Sequence, residues 1–406
     1  MNISGNRIHD IAEDIELICS LFRENIFKKE YHTPICPQIY KFLLIYPNLF
    51  GIFIFIMYFC IRITKMQRIN WIDWAKFLAI ALVVPIHIPQ EHGTQPVTFF
   101  EVFIIQAFFF YSGYLKKPSS DLKINLLKYW QGLIVPYFIY NILFYPYWLT
   151  KFYLTNQHMP NMTEALKPIV GVFLLQTETS ISCGLNSVTY FLAVLLIMHL
   201  IFDLCYRTKC MHLLMIGISL IAIALYTLSK YNFFTKELVF VGLFKSFPFY
   251  YLGYICKRYN MLKRIEFKKD LMYFVCFLLL SILSFQYHAN ETNFSLHMIS
   301  FWPAVLFGVL AFTYFCKLLD SVHSQVVVNY SNGTMAFIGL HWMIAGIIRY
   351  GILKPIFHVP ADYVYSSAEA YLLALVVTLV LYPIILFFLK NTPWMLGKRT
   401  NPATGA

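Results

Sequence analysis

Residues 71–87 read WIDWAKFLAIALVVPIH. The stretch is apolar enough for a membrane helix, yet it holds Asp73, Lys76 and His87. A charge at the centre of a spanning helix costs about 2.5–3.5 kcal/mol on insertion scales, against ~0.3–0.6 kcal/mol gained per Leu, Ile, Phe or Val. Ionisable groups retained at that cost are functional candidates. Helical phase relates the three. Asp73 and Lys76 are three residues apart, so they neighbour one another on a helix surface. Lys76 and His87 are eleven residues apart, almost three whole turns, which sets them within about 20° and roughly 16 Å along the axis. All three share one face. Pro85 has no N–H for the carbonyl of Ala81 and predicts a kink just before the histidine.

The rest of the chain supplies the context. Its 406 residues are 59% hydrophobic and only 13% charged, about half the ~25% charge of a soluble domain. Apolar runs fall near 42–63, 72–89, 97–115, 129–150, 187–204, 211–229, 237–256, 271–287, 296–315, 334–353 and 370–389. Each is close to the ~17–25 residues that cross a bilayer. The run around 168–175 is too short and reads as re-entrant or interfacial. With residue 72 on the cytoplasmic side and strict alternation, the inner loops and tail hold sixteen Lys and Arg against five outside. The positive-inside rule then favours ten spans from residue 72 onward, with the C-terminus cytoplasmic. The expected fold is all-α: a polytopic membrane helix bundle of ten core transmembrane helices, plus one N-terminal extra helix if 42–63 also spans. Residues 1–65 read as an N-terminal extension, 66–392 as the membrane domain and 393–406 as a cytoplasmic tail.

The net charge of +12 is explained by these loops and gives no reason to expect nucleic acid. Nine cysteines show no CxxC pair and no metal-ligand spacing, so packed or lipid-facing thiols are expected, with no metal. No cleavable signal peptide is recognisable. No repeat or inverted repeat is visible either, which speaks against a secondary transporter.

A second polar stripe lies in 98–114, TFFEVFIIQAFFFYSGY, where Glu101 and Ser112 are again eleven apart. This helix runs antiparallel to the first. Glu101 falls near the depth of His87, and Ser112-Gly113 near that of Lys76, so two matched stripes would form a polar seam. His341 stands about a third of the way into the span NGTMAFIGLHWMIAGIIRY. His199 and Asp203 read as interfacial, and Arg349 and Glu369 as snorkelling or loop-paired residues.

These segments resemble the acyltransferase-3 family of integral membrane acyltransferases. The resemblance rests on WID before a basic residue, ten residues and a histidine (Lys76 and His87), then on AFFFYSGYLKK, KYWQGLIVPYFIY and NGTMAFIGLHWM in that order. It covers about 66–392 and is nearest in feel to the fucose O-acetylase-like branch. Two stretches depart from it: IIQAFFF, with Ile104 and Gln106 where many members have His-Met-Pro, and NSVTYFLAV, with Tyr190 for a tryptophan. They bear on acceptor and subfamily more than on reaction class.

The resemblance implies transfer of an acyl group, usually acetyl, from cytoplasmic acyl-CoA to a hydroxyl of a sugar or polysaccharide at a bacterial plasma membrane. Acyl-CoA is then a co-substrate, with no bound cofactor. Histidine suits the base that alcohol acylation needs. The expectation is that His87 is the base or transient acyl carrier, that Lys76 contacts the donor, and that Asp73 orients Lys76. Glu101 would orient His87, with Ser112, Gly113 and His341 completing the cavity. A polysaccharide or sugar-lipid transporter or flippase is the rival reading. A non-catalytic scaffold ranks last, because the aligned polar groups would then be an unneeded insertion cost.

Overall fold

The computed structural model describes residues 68–90, 95–119, 121–229, 238–360 and 362–398. The extension 1–65 with its extra-helix reading, and residues 399–406 of the tail, lie outside the described residues. Contacts divide the chain into Met1–Arg68 and Ile69–Ala406; the second unit is described below.

Its described residues form helices and no strands. They are α1 (Asn70–Ile86), α2 (Gln95–Leu115), α3 (Leu122–Tyr129), α4 (Val135–Asn156), α5 (Met162–Phe173), α6 (Tyr190–Tyr206), α7 (Met211–Ser229), α8 (Leu238–Arg258), α9 (Phe267–Asn290), α10 (Phe294–Leu318), α11 (Gln325–Asn332), α12 (Thr334–Ile348), α13 (Lys354–Phe357) and α14 (Ser367–Asn391). Wide π-helical turns at Trp130–Ile134 and Arg349–Leu353 join α3 to α4 and α12 to α13.

Among the described residues, seven helical stretches are long and apolar enough to cross a membrane: α2, α6, α8, α9, α10, α12 continued through α13, and α14. The protein is therefore a helical membrane protein. Three other expected spans are helices of a less decisive kind. α1 has 17 residues, the apolar part of α7 is Met211–Thr227, and the 22 residues of α4 are diluted by tyrosines, Asn141 and Lys151. The short run around 168–175 falls in α5, a helix of 12 residues.

α1 sits at the centre, packed against α2, α10, α11, α12 and α14. Ala75 and Ala79, one turn apart, are fully buried and let neighbouring helices approach closely. Its N-terminus has no cap from its own Ile69. Asp320, from the loop after α10, takes that place: Oδ1 accepts from the Trp71 amide at 2.8 Å. The Asn70 amide donates to the carbonyls of Asp320 at 2.6 Å and Val322 at 2.9 Å, and Trp74 Nε1 to Val322 at 2.7 Å. A carboxylate there satisfies an orphan N–H and complements the helix dipole. At the other end the expected kink is replaced by a stop. The helix closes at Ile86, His87 is its C-cap, and the His87 amide donates to Val84 O at 3.1 Å.

α2 and α8 cross at two glycines. A Cβ on Gly113 would lie 1.8 Å from Tyr250 O, and one on Gly253 1.9 Å from Phe110 O. α9 and α10 pair as an outer hairpin, fastened by a buried ion pair of Lys317 with Asp270 at 2.6 Å. The connection from α5 to α6 is held by Gln176. Its Oε1 accepts from the Leu185 amide at 2.8 Å, and its Nε2 donates to Asn141 Oδ1 at 2.9 Å. Asn186 Nδ2 then donates to Gly339 O of α12 at 2.9 Å. Buried amides thus position the residues that precede α6 against α4 and α12.

Candidate active site

Three spaces follow α1 along its length. A wide chamber of about 670 Å³ opens at the Lys76 end. A waist of about 60 Å³ lies around His87 and His341. A vestibule of about 210 Å³ lies beyond His87. Chamber and waist share Phe108, Phe191 and Ile338; waist and vestibule share His87.

The chamber is basic. Lys76 of α1, Lys116 and Lys117 after α2, Lys128 of α3, and Lys398 all line it, with no carboxylate among its lining residues. Lys116 is anchored from behind. Its Nζ lies 2.7 Å from Asp203 Oδ1, and both side chains are almost fully buried. Asn125 Nδ2 donates to Asp203 Oδ2 at 3.0 Å. The Tyr129 hydroxyl accepts from Lys116 and donates to Asp203. His199 stacks on Tyr129 at 5.2 Å between ring centres and shares a 2.7 Å hydrogen bond with the Tyr250 hydroxyl. Burial lowers the affinity of Lys116 for its proton, and Asp203 pulls the other way. His199 and Asp203, read from the sequence as interfacial, are engaged inside the protein. One turn apart on α6, they meet α3 and α8 in a polar network, and that i, i+4 spacing was the available signal.

At the waist the rings of His87 and His341 are 5.3 Å apart between centres and inclined by 41°. His341 is 1% exposed. Its Nδ1 lies 2.9 Å from Phe337 O. A carbonyl only accepts, so Nδ1 carries the proton. Nε2 is buried with no hydrogen-bond partner among the described residues. In the neutral ring that nitrogen holds a lone pair, an arrangement suited to accepting a proton or hydrogen bond from a bound molecule.

The other expected site residues divide. Ser112 lines the chamber, its hydroxyl donating to Phe108 O at 2.8 Å. Asp73 is buried behind the chamber wall and accepts from Ser331 Oγ at 2.6 Å. Gly113 lines none of the three spaces and serves the close approach of α2 to α8. Glu101 is exposed and lines none of them either; Ile105 and Phe108 are the α2 residues at the waist. The structure does not bring Glu101 to His87. Phase on α2 alone is a poor guide to that residue, because Glu101 lies a turn beyond the last waist residue. Arg349, read from the sequence as snorkelling or loop-paired, lines the vestibule. Among the described residues no group of three His, Cys, Asp or Glu could hold a metal ion.

A family model described as an acyltransferase domain, that of the acyltransferase-3 family, matches residues 69–387. The chain belongs to the acyltransferase-3 family. No curated protein and no solved structure matches it. The match takes in every expected site residue, from Asp73 to His341, and implies acyltransferase activity. Lys398 of the chamber lies just past the acyltransferase-3 match and is placed there by the turn Pro393–Leu396 after α14.

Proposed function

We propose that the protein is an integral membrane O-acyltransferase of ten core spans, its functional unit being residues 66–392. It moves an acyl group, acetyl in the simplest case, from cytoplasmic acyl-CoA to a hydroxyl of a cell-envelope or exported sugar at the bacterial plasma membrane. The observation that carries this reading is the order of the three spaces: a lysine-lined chamber, a histidine waist, then a vestibule. CoA is polyanionic, and the chamber that would receive it is lined by five lysines, of which Lys116 is held by Asp203. Its slender pantetheine arm can bring the thioester to the waist while the nucleotide stays among those lysines. The acceptor enters from the opposite mouth. His87 borders both waist and vestibule, so it stands where the two substrates meet.

In that geometry His87 takes the proton of the acceptor hydroxyl as the oxygen attacks the thioester carbonyl. The C–S bond of the tetrahedral adduct then breaks, and the CoA thiolate receives the proton from the imidazolium. The ester leaves by the vestibule and free CoA by the chamber. His341 borders the same waist, and its unpartnered Nε2 supplies a second acceptor for the moving proton. General-base assistance of this kind contributes about 10²–10⁴-fold.

The waist of about 60 Å³ is a constriction between the chamber of about 670 Å³ and the vestibule of about 210 Å³, which suits two substrates that meet there from opposite sides. The test is purified protein with labelled acetyl-CoA and envelope glycans. Label should reach the glycan, and His87→Ala should abolish transfer at unchanged protein level. Full activity in that variant, or movement of glycan without loss of label from acetyl-CoA, would overturn the proposal.

A further inference from the structure

α1 borders a further space on the face turned away from the waist. The waist takes Ile80, Val83 and His87 of that helix. Phe77, Leu78, Ala81 and Leu82 stand on the opposite face by helical phase and form one wall of a cleft of about 500 Å³. α2, α9, α10 and α14 supply the rest. The cleft shares no lining residue with chamber, waist or vestibule, so it serves neither of the substrates placed there.

Its chemistry is uniform. No charged residue lines it. Of its two hydroxyls, Thr378 Oγ1 donates to Ala374 O at 2.8 Å, and Tyr371 Oη is buried with no hydrogen-bond partner among the described residues. All its other lining residues are aliphatic or aromatic. Such walls offer no counter-charge to a phosphate or nucleotide and almost no polar partner to a sugar. The volume is that of a ligand pocket, about 300–1,000 Å³. The shape is long. Phe99 lines the cleft and meets Phe285 of α9 edge to face, 5.4 Å between ring centres. Phe274 of the same helix also lines it. Those two α9 residues are eleven apart, roughly 16 Å along the axis, or about half the ~30 Å of hydrocarbon in a bilayer.

The cleft opens sideways. At its rim Leu375 of α14 is 54% exposed and Phe315 of α10 37%, and both helices are long and apolar enough to cross a membrane. The apolar surface continues past the rim with exposed Leu372 and Leu379 on α14 and Leu271, Val275 and Leu279 on α9. In a bilayer the medium at such a surface is hydrocarbon, not water. An empty cleft would forfeit the dispersion contacts of its walls.

We infer that the cleft is a binding site for one acyl chain of a bilayer phospholipid. The chain enters past Leu375 and Phe315 and lies along α1. Its ester carbonyl accepts from the Tyr371 hydroxyl, which otherwise pays for burial without a partner. The lipid supports α1 from behind, on the face opposite the one that borders the waist.

The probe is a phosphatidylethanolamine with a photoreactive diazirine on one acyl chain, added to the purified full chain in detergent. Crosslinked residues are read by peptide mass spectrometry. Labelling should reach Leu78 and the buried Phe103 and Phe312, and saturate at one lipid per chain. Ala81→Phe fills the floor of the cleft, and Leu375→Trp blocks its exposed rim without entering the packed interior. Each should cut that labelling several-fold, while Leu220→Phe on the exposed face of α7 should leave it unchanged. Added lipid should raise the midpoint of thermal unfolding of the unaltered protein, and less so in the two filled variants. An unlabelled ester lipid should compete several-fold better than its ether-linked counterpart, and Tyr371→Phe should remove that difference. Labelling confined to exposed residues such as Leu279 and Leu372 would mean surrounding lipid only and overturn the inference. So would labelling of Phe103 and Phe312 that neither Ala81→Phe nor Leu375→Trp reduces. Labelling that starts only when residues 1–65 are deleted would overturn it too, in favour of that extension as occupant. Equal competition by ester and ether lipids would overturn the contact with Tyr371.

Discussion

The Nδ1–H of His341, a residue of the waist, is held by Phe337 O, and its Nε2 is buried without a hydrogen-bond partner among the described residues. Two substitutions separate what that nitrogen does. In His341→Asn the shorter amide keeps a donor for Phe337 O and removes the Nε2 position. In His341→Gln an amide oxygen reaches towards it, able to accept a hydrogen bond but not to take a proton at neutral pH. If Nε2 accepts the moving proton, both variants should lose about 10²–10⁴ in kcat; activity of His341→Gln within ~10-fold of the unaltered enzyme would reduce His341 to a hydrogen-bond acceptor. Lys76 invites a different readout, since it lines the donor chamber well away from the waist. Lys76→Gln should raise KM for acetyl-CoA about tenfold, worth ~1.4 kcal/mol, with kcat little changed. That KM should rise with salt in the unaltered enzyme and less so in the variant, because screening weakens exposed charge contacts. A fall in kcat at unchanged KM would place Lys76 in chemistry instead.

Pairings between elements decide where those residues point. The buried Lys116–Asp203 pair ties the end of α2 to α6, with Asn125 and Tyr129 bringing in α3. Asp203→Asn leaves an ammonium with its charge partner removed and should cost about 3–5 kcal/mol, seen as a lowered midpoint of thermal unfolding in detergent. Adding Lys116→Met should recover most of that loss; no recovery would mean the network stabilises through Asn125 and Tyr129 alone. Gly113→Ala drives a methyl into the Tyr250 carbonyl, an overpacking cost of about 1–3 kcal/mol. Gly217→Ala, which meets nothing within 4 Å, should be neutral by the same measurement.

The helices and the packing of α1 against α2 were legible in the sequence, the first from apolar runs of spanning length and the second from chain order. The network around Asp203 was not, since it is made of residues some seventy-five positions apart that meet only when α3 packs on α6. Glu101 failed for the complementary reason. Phase predicts which residues share a face of one helix, but not how far along that face a neighbouring helix continues. Pro85 was read as a kink because the sequence does not show that the helix ends one residue later, with His87 as its cap.

At the scale of the whole molecule the chamber and the vestibule lie on either side of the histidine waist. Lys398 and Lys151 mark them, one in the chamber and the other in the vestibule. In the proposed reaction the first faces the cytoplasm and the second the outside, the sides that loop charge predicts. Labelling tests that assignment together with the enzyme reading. In a background where native cysteines are serine, Lys398→Cys should react with a membrane-impermeant maleimide only when the cytoplasmic face is presented, as in inverted vesicles. Lys151→Cys should react only from the outer face, in intact cells stripped of their outer layer. Acetyl-CoA should slow labelling of the Lys398→Cys thiol, because the nucleotide occupies that chamber. It should leave the Lys151→Cys thiol unprotected, because the waist of about 60 Å³ keeps the donor from the vestibule. Reaction of both thiols from one face would overturn the transmembrane arrangement. Protection of the Lys151→Cys thiol by acetyl-CoA would mean that the waist opens far wider than the two imidazoles allow here, and a carrier would then fit better than an enzyme whose substrates meet at His87.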